Sequence, residues 1–394
     1  MKVMGNKFRN AFKYTGILVM VTLLVMGCGS ESNTEIAQAP SKDEFQSYQL
    51  DMNAKGIALA DLIQEIEIVR LEETEASLLS AVRQIEFFED RMVLPSGNEG
   101  DVFVYSDKGE FIRKINRKGE GPEEYSGWND IWLEGDILNV YTAQKSIKRY
   151  DLEGNFISTK TIPHGASHIH PYKSGYVLDM NYGVINDSLQ YAVAITDSEM
   201  KVKKLFLPFE KAPDFGISTD DKTVFPSGED LFVFRIMTDT VFKLDGDSLK
   251  PYIHYDFGDQ WYYQSGVEMS MAVLNQTEEA ALVWLMSNRI GENYIFLSAI
   301  VGMKNGAQYF IDRNANKEIL IDLKMPEDEK LLISSIGWDG DDFLFTIQSP
   351  QLSYLLEGLD QEQYSFAEGT ELEAIESSEN PVLIRMKLKD STDW

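Results

Sequence analysis

Apolar residues along this chain come in short runs punctuated by turn residues. The run 102–105 (Val-Phe-Val-Tyr), the turn Ser106-Asp-Lys-Gly109 and the run 111–115 read as two β-strands joined by a tight turn. A glycine-rich loop, 117–125, then carries the chain to a fresh strand pair within 131–141. The step recurs. Turn signals follow at Asp151, Asp197, Asp245 and Asp312, at spacings of 44, 46, 48 and 67 residues from Asp107 onward. A unit of roughly 45 residues holding several short strands is the mark of a β-propeller blade.

The long last step has a visible source. In residues 261–288 strand alternation gives way to Val267, Met271, Leu274, Ala281, Leu282 and Leu285 at helical spacings, which predicts a helical insertion. A second is expected over about 350–366, opening on Ser349-Pro350 and carrying Leu352, Leu355, Leu356 and Leu359 as a one-sided stripe. Both are expected to pack on one face of a disc, where long insertions in repeat folds border binding clefts. Two strands, 65–71 and 382–388, have no local partner, and pairing them would close a ring. The reading is an all-β, six-bladed β-propeller, with blades at about 80–118, 127–162, 168–208, 217–256, 290–323 and 333–388, the last completed by 65–71.

The start of the chain carries an address. Residues 1–27 hold a basic region (Lys2, Lys7, Arg9, Lys13) and an apolar run, 17–26, too short for a membrane span, and end at Gly27 before Cys28, the sole cysteine. Leu24-Val-Met-Gly-Cys28 resembles a bacterial lipobox, which predicts a lipidated Cys28 as the first mature residue. Residues 28–56 then read as a flexible tether lifting a propeller, 57–390, clear of the lipid. The net charge is −28, and falls to about −32 once the four leader cations are removed. Such a surface disfavours nucleic acid.

Asp61-Leu-Ile-Gln-Glu-Ile-Glu-Ile-Val-Arg-Leu-Glu-Glu-Thr74, Tyr105-Ser-Asp-Lys-Gly-Glu-Phe-Ile112, Gly119-Glu-Gly-Pro-Glu-Glu-Tyr125, Tyr150-Asp-Leu-Glu-Gly-Asn-Phe-Ile157 and the terminal Asn380-Pro-Val-Leu-Ile-Arg-Met-Lys-Leu-Lys389 resemble the six-bladed β-propeller lipoproteins of Bacteroidetes. The likeness is specific in the first hundred folded residues and at the C-terminus, and architectural between. Glu123 departs from it, standing where relatives commonly place glycine. The resemblance implies an outer-membrane or cell-surface lipoprotein related in shape to NHL-type and TolB-type propellers, and it brings no catalytic residues.

Candidate chemistry is sparse. Of four histidines, three fall in His164-Gly-Ala-Ser-His-Ile-His170. On a strand His168 and His170 share a face, where they could ligate a divalent metal with His164 or Asp179 completing the set. The plainer expectation is an inner-strand cluster hydrogen-bonded within the channel, with no cofactor. Gly119-Glu-Gly-Pro122 lacks the helix and the Lys-Ser/Thr pair of a phosphate loop. The acidic pairs Asp220-Asp221 and Asp341-Asp342 sit beside turns, and no Gly-x-Ser-x-Gly elbow occurs. Of Trp128, Trp132, Trp261, Tyr262, Tyr263, Trp284 and Trp338, most fit wedges between blades and a minority at the channel mouth could stack on sugars or peptides, with Trp261, Tyr262 and Tyr263 as the candidates. The leading expectation is a non-catalytic propeller binding a protein, peptide or glycan, anchored to a membrane through its N-terminal lipid. The alternative is a metal-dependent lyase or hydrolase using His168 and His170.

Overall fold

The computed structural model describes residues 44–394 except 97–99, 187–188, 216–221, 265–269, 326–329 and 369. The leader, Cys28 and Asp220-Asp221 lie outside the described residues. Six sheets, antiparallel apart from a parallel edge strand on three of them, follow one another along the chain. Their innermost strands are Glu86–Phe88, Trp128–Glu134, His168–Tyr172, Val224–Ser227, Leu285–Ile290 and Ser334–Asp339. This is a six-bladed propeller, with the expected blade order.

Blades are covered on both faces, so middle strands such as Arg91–Ser96 and Asp101–Ser106 are apolar runs rather than alternating ones. In strand Asp101–Ser106, Phe103 and Tyr105 join the core shared with the sixth blade, while Val102 and Val104 join the core shared with the second. The turn after this strand is set by Gly109, at φ +87°, where a Cβ would stand 2.0 Å from the Arg70 carbonyl oxygen. Glu72 donates its N–H to the Gly109 oxygen at 2.8 Å, so the turn is stitched to the sixth blade. Gly154 repeats the arrangement one blade on, at φ +84° against Ile115. A side chain at Gly109 would have to displace the neighbouring blade's backbone, whereas at Gly154 the constraint is the positive φ.

The ring closes as the two unpartnered strands predict. Strand Val382–Leu388 lies between Asp342–Ile347 and Ile63–Arg70, antiparallel to both, so the chain's two ends make one blade. Asn380 locks the junction: its Oδ1 accepts from Leu79 N–H at 2.8 Å, and its Nδ2 donates to the carbonyls of Leu71, Glu72 and Ser77.

Three boundaries differ from expectation. The tether reading extends too far, because Gln46–Gln49 adds in parallel to the outer edge of the fourth blade and Ile57–Ala58 to that of the fifth. Gln46 and Tyr48 are buried there, a two-residue alternation hidden in a polar stretch. The first insertion is shorter than 261–288. Its helix is Val273–Ala280, ended by Ala281 at φ 52°, and Leu285–Ile290 is a strand whose buried positions are Met286, Asn288 and Ile290. Asn288 masks the alternation, and Leu282 and Leu285 mimic a helical step. In the second insertion the helix Leu352–Glu357 buries Leu352 and Leu355, and strand Tyr364–Phe366 adds in parallel to Ile63–Arg70. Ser349 does not cap its own helix; its hydroxyl donates to the Asn380 oxygen at 2.5 Å.

Candidate functional site

The inner strands of four blades bring polar side chains together at their starting ends. Glu86 opens the first blade's inner strand, Asp130 lies near the start of the second, His168 opens the third, and Lys222 and Thr223 precede the fourth. In a ring of six, blades one and four face each other across the axis. The Lys222 ammonium spans that distance, donating to Glu86 Oε1 at 2.9 Å and to the Ile131 carbonyl of blade two at 3.0 Å, with Asp130 Oδ1 at 3.8 Å. Gln84 Nε2 reinforces the same acceptors at 2.7 and 3.0 Å.

Blade three is tied in from the other side. Asp130 is 3% exposed and accepts the Ile169 N–H at 3.0 Å. His168, 7% exposed, places Nδ1 3.4 Å from Asp179 Oδ2, the residue opposite it in the hairpin. Thr223 donates its hydroxyl to the same carboxylate oxygen, and the Asn181 N–H reaches Asp179 Oδ1 at 2.7 Å. Every charge here faces an opposite charge from another strand.

The electrostatics follow from that enclosure. Burial works against the His168 cation, but the hydrogen bond to Asp179 and the charges of Asp130 and Asp179 outweigh it and raise its pKa. Burial also works against the Lys222 cation, and Glu86 and Asp130 more than offset it. Asp130 is pushed up by burial, against the pull of Lys222, His168 and the Ile169 amide. His170 has no compensating carboxylate bonded to it; burial and then the Lys222 charge lower its pKa to about 4. His168 therefore holds its proton to higher pH than an ordinary imidazole, beside a His170 that is neutral at pH 7.

The structure thus joins His168 to Asp179 and leaves the other candidates elsewhere. His164 lies half-buried in the connection between blades two and three. Among the described residues no group of three His, Cys, Asp or Glu side chains is arranged to hold a metal. Trp261 and Tyr262 are buried at 8% exposure and pack into the cores around the first insertion. Tyr262 donates to Gln276 Oε1 at 2.6 Å, and Tyr263 stands edge-on to both rings. Rings so enclosed offer a ligand little face to stack on. The loop 117–125 is an interblade strut: Tyr125 donates to Gly100 O at 2.7 Å, and Lys148 and Tyr150 of blade two donate to Pro122 O and Glu123 O at 2.6 and 2.7 Å.

Sequence reasoning missed Glu86, Asp130, Lys222 and Thr223. Aligning the repeats on their inner strands rather than on their turn aspartates would have shown all four within three positions of a strand's start. Among the described residues no helix is long and apolar enough to cross a membrane.

A family model described as a domain of unknown function (DUF4934) matches residues 47–387. Among solved structures, a Bacteroides fragilis protein described as exported is similar over 88% of this chain and 100% of its own, at 14% identity and a TM-score of 0.70. A DUF4221-family protein from Bacteroides vulgatus aligns over 83% of this chain and 98% of its own, at 13% identity and a TM-score of 0.45. No curated protein matches the sequence.

Proposed function

The chain belongs to the DUF4934 family, and from that premise we propose that it is an exported, lipid-anchored binding propeller rather than an enzyme. The observation that carries this reading is the Lys222 side chain crossing the channel to Glu86. In many propellers the channel mouth is where loops from several blades could converge on a substrate; here its ionisable groups are spent on one another. A catalytic acid, base or metal ligand needs a free lone pair or proton directed at a reactant. Asp130 and Lys222 direct theirs at neighbouring blades, and His168 directs its own at Asp179, which Thr223 also reaches, so the cluster is a polar brace for the ring.

Export and anchoring rest on the leader, the Leu24-Val-Met-Gly-Cys28 motif and the fold shared with an exported Bacteroides protein. A preparation of the full chain from its native membrane, without a tag, tests both halves. Intact mass is expected to show acylated Cys28 as the first residue, and metal analysis far less than one equivalent of zinc. An unprocessed or unacylated N-terminus contradicts the anchor. A full equivalent of zinc, lost in His168→Asn, establishes the metal-enzyme alternative instead.

A further inference from the structure

On the fourth blade the register brings a serine, a histidine and an aspartate together. Ser47 stands opposite His254, and His254 opposite Thr240, so these three side chains share one face across three adjacent strands. The residues that alternate with them, Tyr48, Ile253 and Val241, fill the core shared with the fifth blade, which turns the row towards the third. His254 Nδ1 lies 3.1 Å from Ser47 Oγ, and its Nε2 lies 3.5 Å from Oδ2 of Asp239, the residue before Thr240. The other oxygen of that carboxylate accepts the Thr240 hydroxyl at 2.9 Å.

These contacts place the protons. For the Ser47 hydroxyl to donate to Nδ1, the imidazole carries its hydrogen on Nε2, where the carboxylate faces it. A hydroxyl whose proton leads to an imidazole, itself oriented by a carboxylate, is an activated nucleophile. The two ring nitrogens are exchanged relative to the protease triad, and the relay is the same. Such links are commonly long until a reactant tightens them. The imidazole and the carboxylate are each 31% exposed, so a reactant can reach them.

The backbone adds a donor. Leu50 gives its N–H to the Asp256 carbonyl at 2.8 Å, so on a two-residue period Tyr48 also points inward and Ser47 turns its N–H to the open edge of the sheet. An oxyanion formed on a carbonyl attacked by Ser47 meets that N–H. A groove of about 710 Å³ opens beside the third blade, lined by Tyr172, Leu231 and Leu244 together with Phe45, two residues before Ser47, and Tyr252, two before His254. Its lining carries three lysines and three carboxylates, which balance, so it suits a neutral and largely apolar group.

We propose that Ser47 is a covalent acceptor for the acyl group of a neutral activated ester whose apolar part lies in this groove. Ser47 Oγ bonds to the carbonyl carbon as His254 Nδ1 takes the hydroxyl proton. The bond to the leaving oxygen then breaks, and His254 returns the proton to that oxygen, releasing the alcohol. The product is an ordinary ester, less activated than the donor and served by a single N–H. Attack by water on it is correspondingly slow, and the site loads once. This goes beyond the binding-propeller reading without making the chain a turnover enzyme.

The probe is p-nitrophenyl acetate, added to the full chain, with nitrophenol followed by absorbance and the acetylated residue located by peptide mass. One equivalent of nitrophenol is expected above the buffer rate, with the acetyl group on Ser47. Ser47→Ala should release none, and His254→Gln should slow loading about a hundredfold. Asp239→Asn acts through the imidazole, so it should slow loading in the parent and change nothing in the His254→Gln background. All three side chains are partly exposed, and each variant should melt close to the parent. Acetyl found only on other residues, unaltered loading in His254→Gln, or an Asp239→Asn effect that persists in that background overturns the assignment. Nitrophenol released far beyond one equivalent, and lost in Ser47→Ala, overturns single loading and makes the site an esterase. Metal content and the N-terminal mass are untouched by these outcomes, so the anchor and the metal-free channel stand or fall separately.

Discussion

A chain that stops at Pro381 loses its cooperative unfolding transition. The missing strand, Val382–Leu388, is the third of its blade and is hydrogen-bonded on both sides, so its loss strands Ile63–Arg70 as well. Val382, Leu383, Ile384, Met386 and Leu388 are all buried. At roughly 1.5–3 kcal/mol for each buried apolar side chain, their sum rivals the roughly 5–15 kcal/mol by which a whole domain is stable. The milder Ile384→Ala is expected to cost about 3 kcal/mol through the cavity it leaves, lowering the denaturant midpoint without changing its slope. A truncated chain that melts with the parent's midpoint and sharpness contradicts closure by the two ends.

Lys222→Met is expected to destabilise the protein by roughly 3–5 kcal/mol at pH 7, because it leaves Glu86 and Asp130 facing each other in the channel without their cation. The loss should shrink with acidity. Asp130 already holds its proton more tightly folded than unfolded, and removing Lys222 strengthens that preference. A carboxyl with a raised folded pKa adds stability at low pH and loses it as pH rises through that value. The difference between variant and parent, measured by denaturant unfolding, should therefore be smaller at pH 5 than at pH 7. A pH-independent difference below about 0.5 kcal/mol, the range of ordinary surface changes, contradicts the brace.

Much of the architecture was legible because a propeller repeats its local signals. Asp107-Lys-Gly109 and Asp151-Leu-Glu-Gly154 announce the same turn, and both need glycine for a positive φ. Closure was legible by elimination, since 65–71 and 382–388 lacked partners. The channel was legible only in part. His168 and Asp179 sit within one hairpin, close enough in sequence to be considered together. Lys222 and Glu86 are 136 residues apart and meet only because six blades bend the chain into a circle. The aromatic triplet 261–263 was ambiguous for a related reason: rings beside a helical insertion are equally suited to seat the helix or to meet a ligand, and the fold buries Trp261 and Tyr262. The strand Gln46–Gln49 was hidden because its buried Gln46 donates to the Arg313 carbonyl at 2.8 Å, a polar contact with no hydrophobic signal.

The most direct test of the self-neutralised channel is a pH titration of the histidine ring signals by NMR, with and without one equivalent of zinc. With four histidines, assignment by single substitution is practical. His170 should stay neutral until about pH 4, and so cost stability as pH falls from about 6.5, where the unfolded imidazole takes its proton first. His168 should hold its proton to higher pH than an ordinary histidine, adding stability below about 6.5 that is lost as pH rises through its raised value. Zinc should move neither. Two histidines titrating together near 6.5, or both shifting when zinc is added, would show a channel open to ligands and contradict the account.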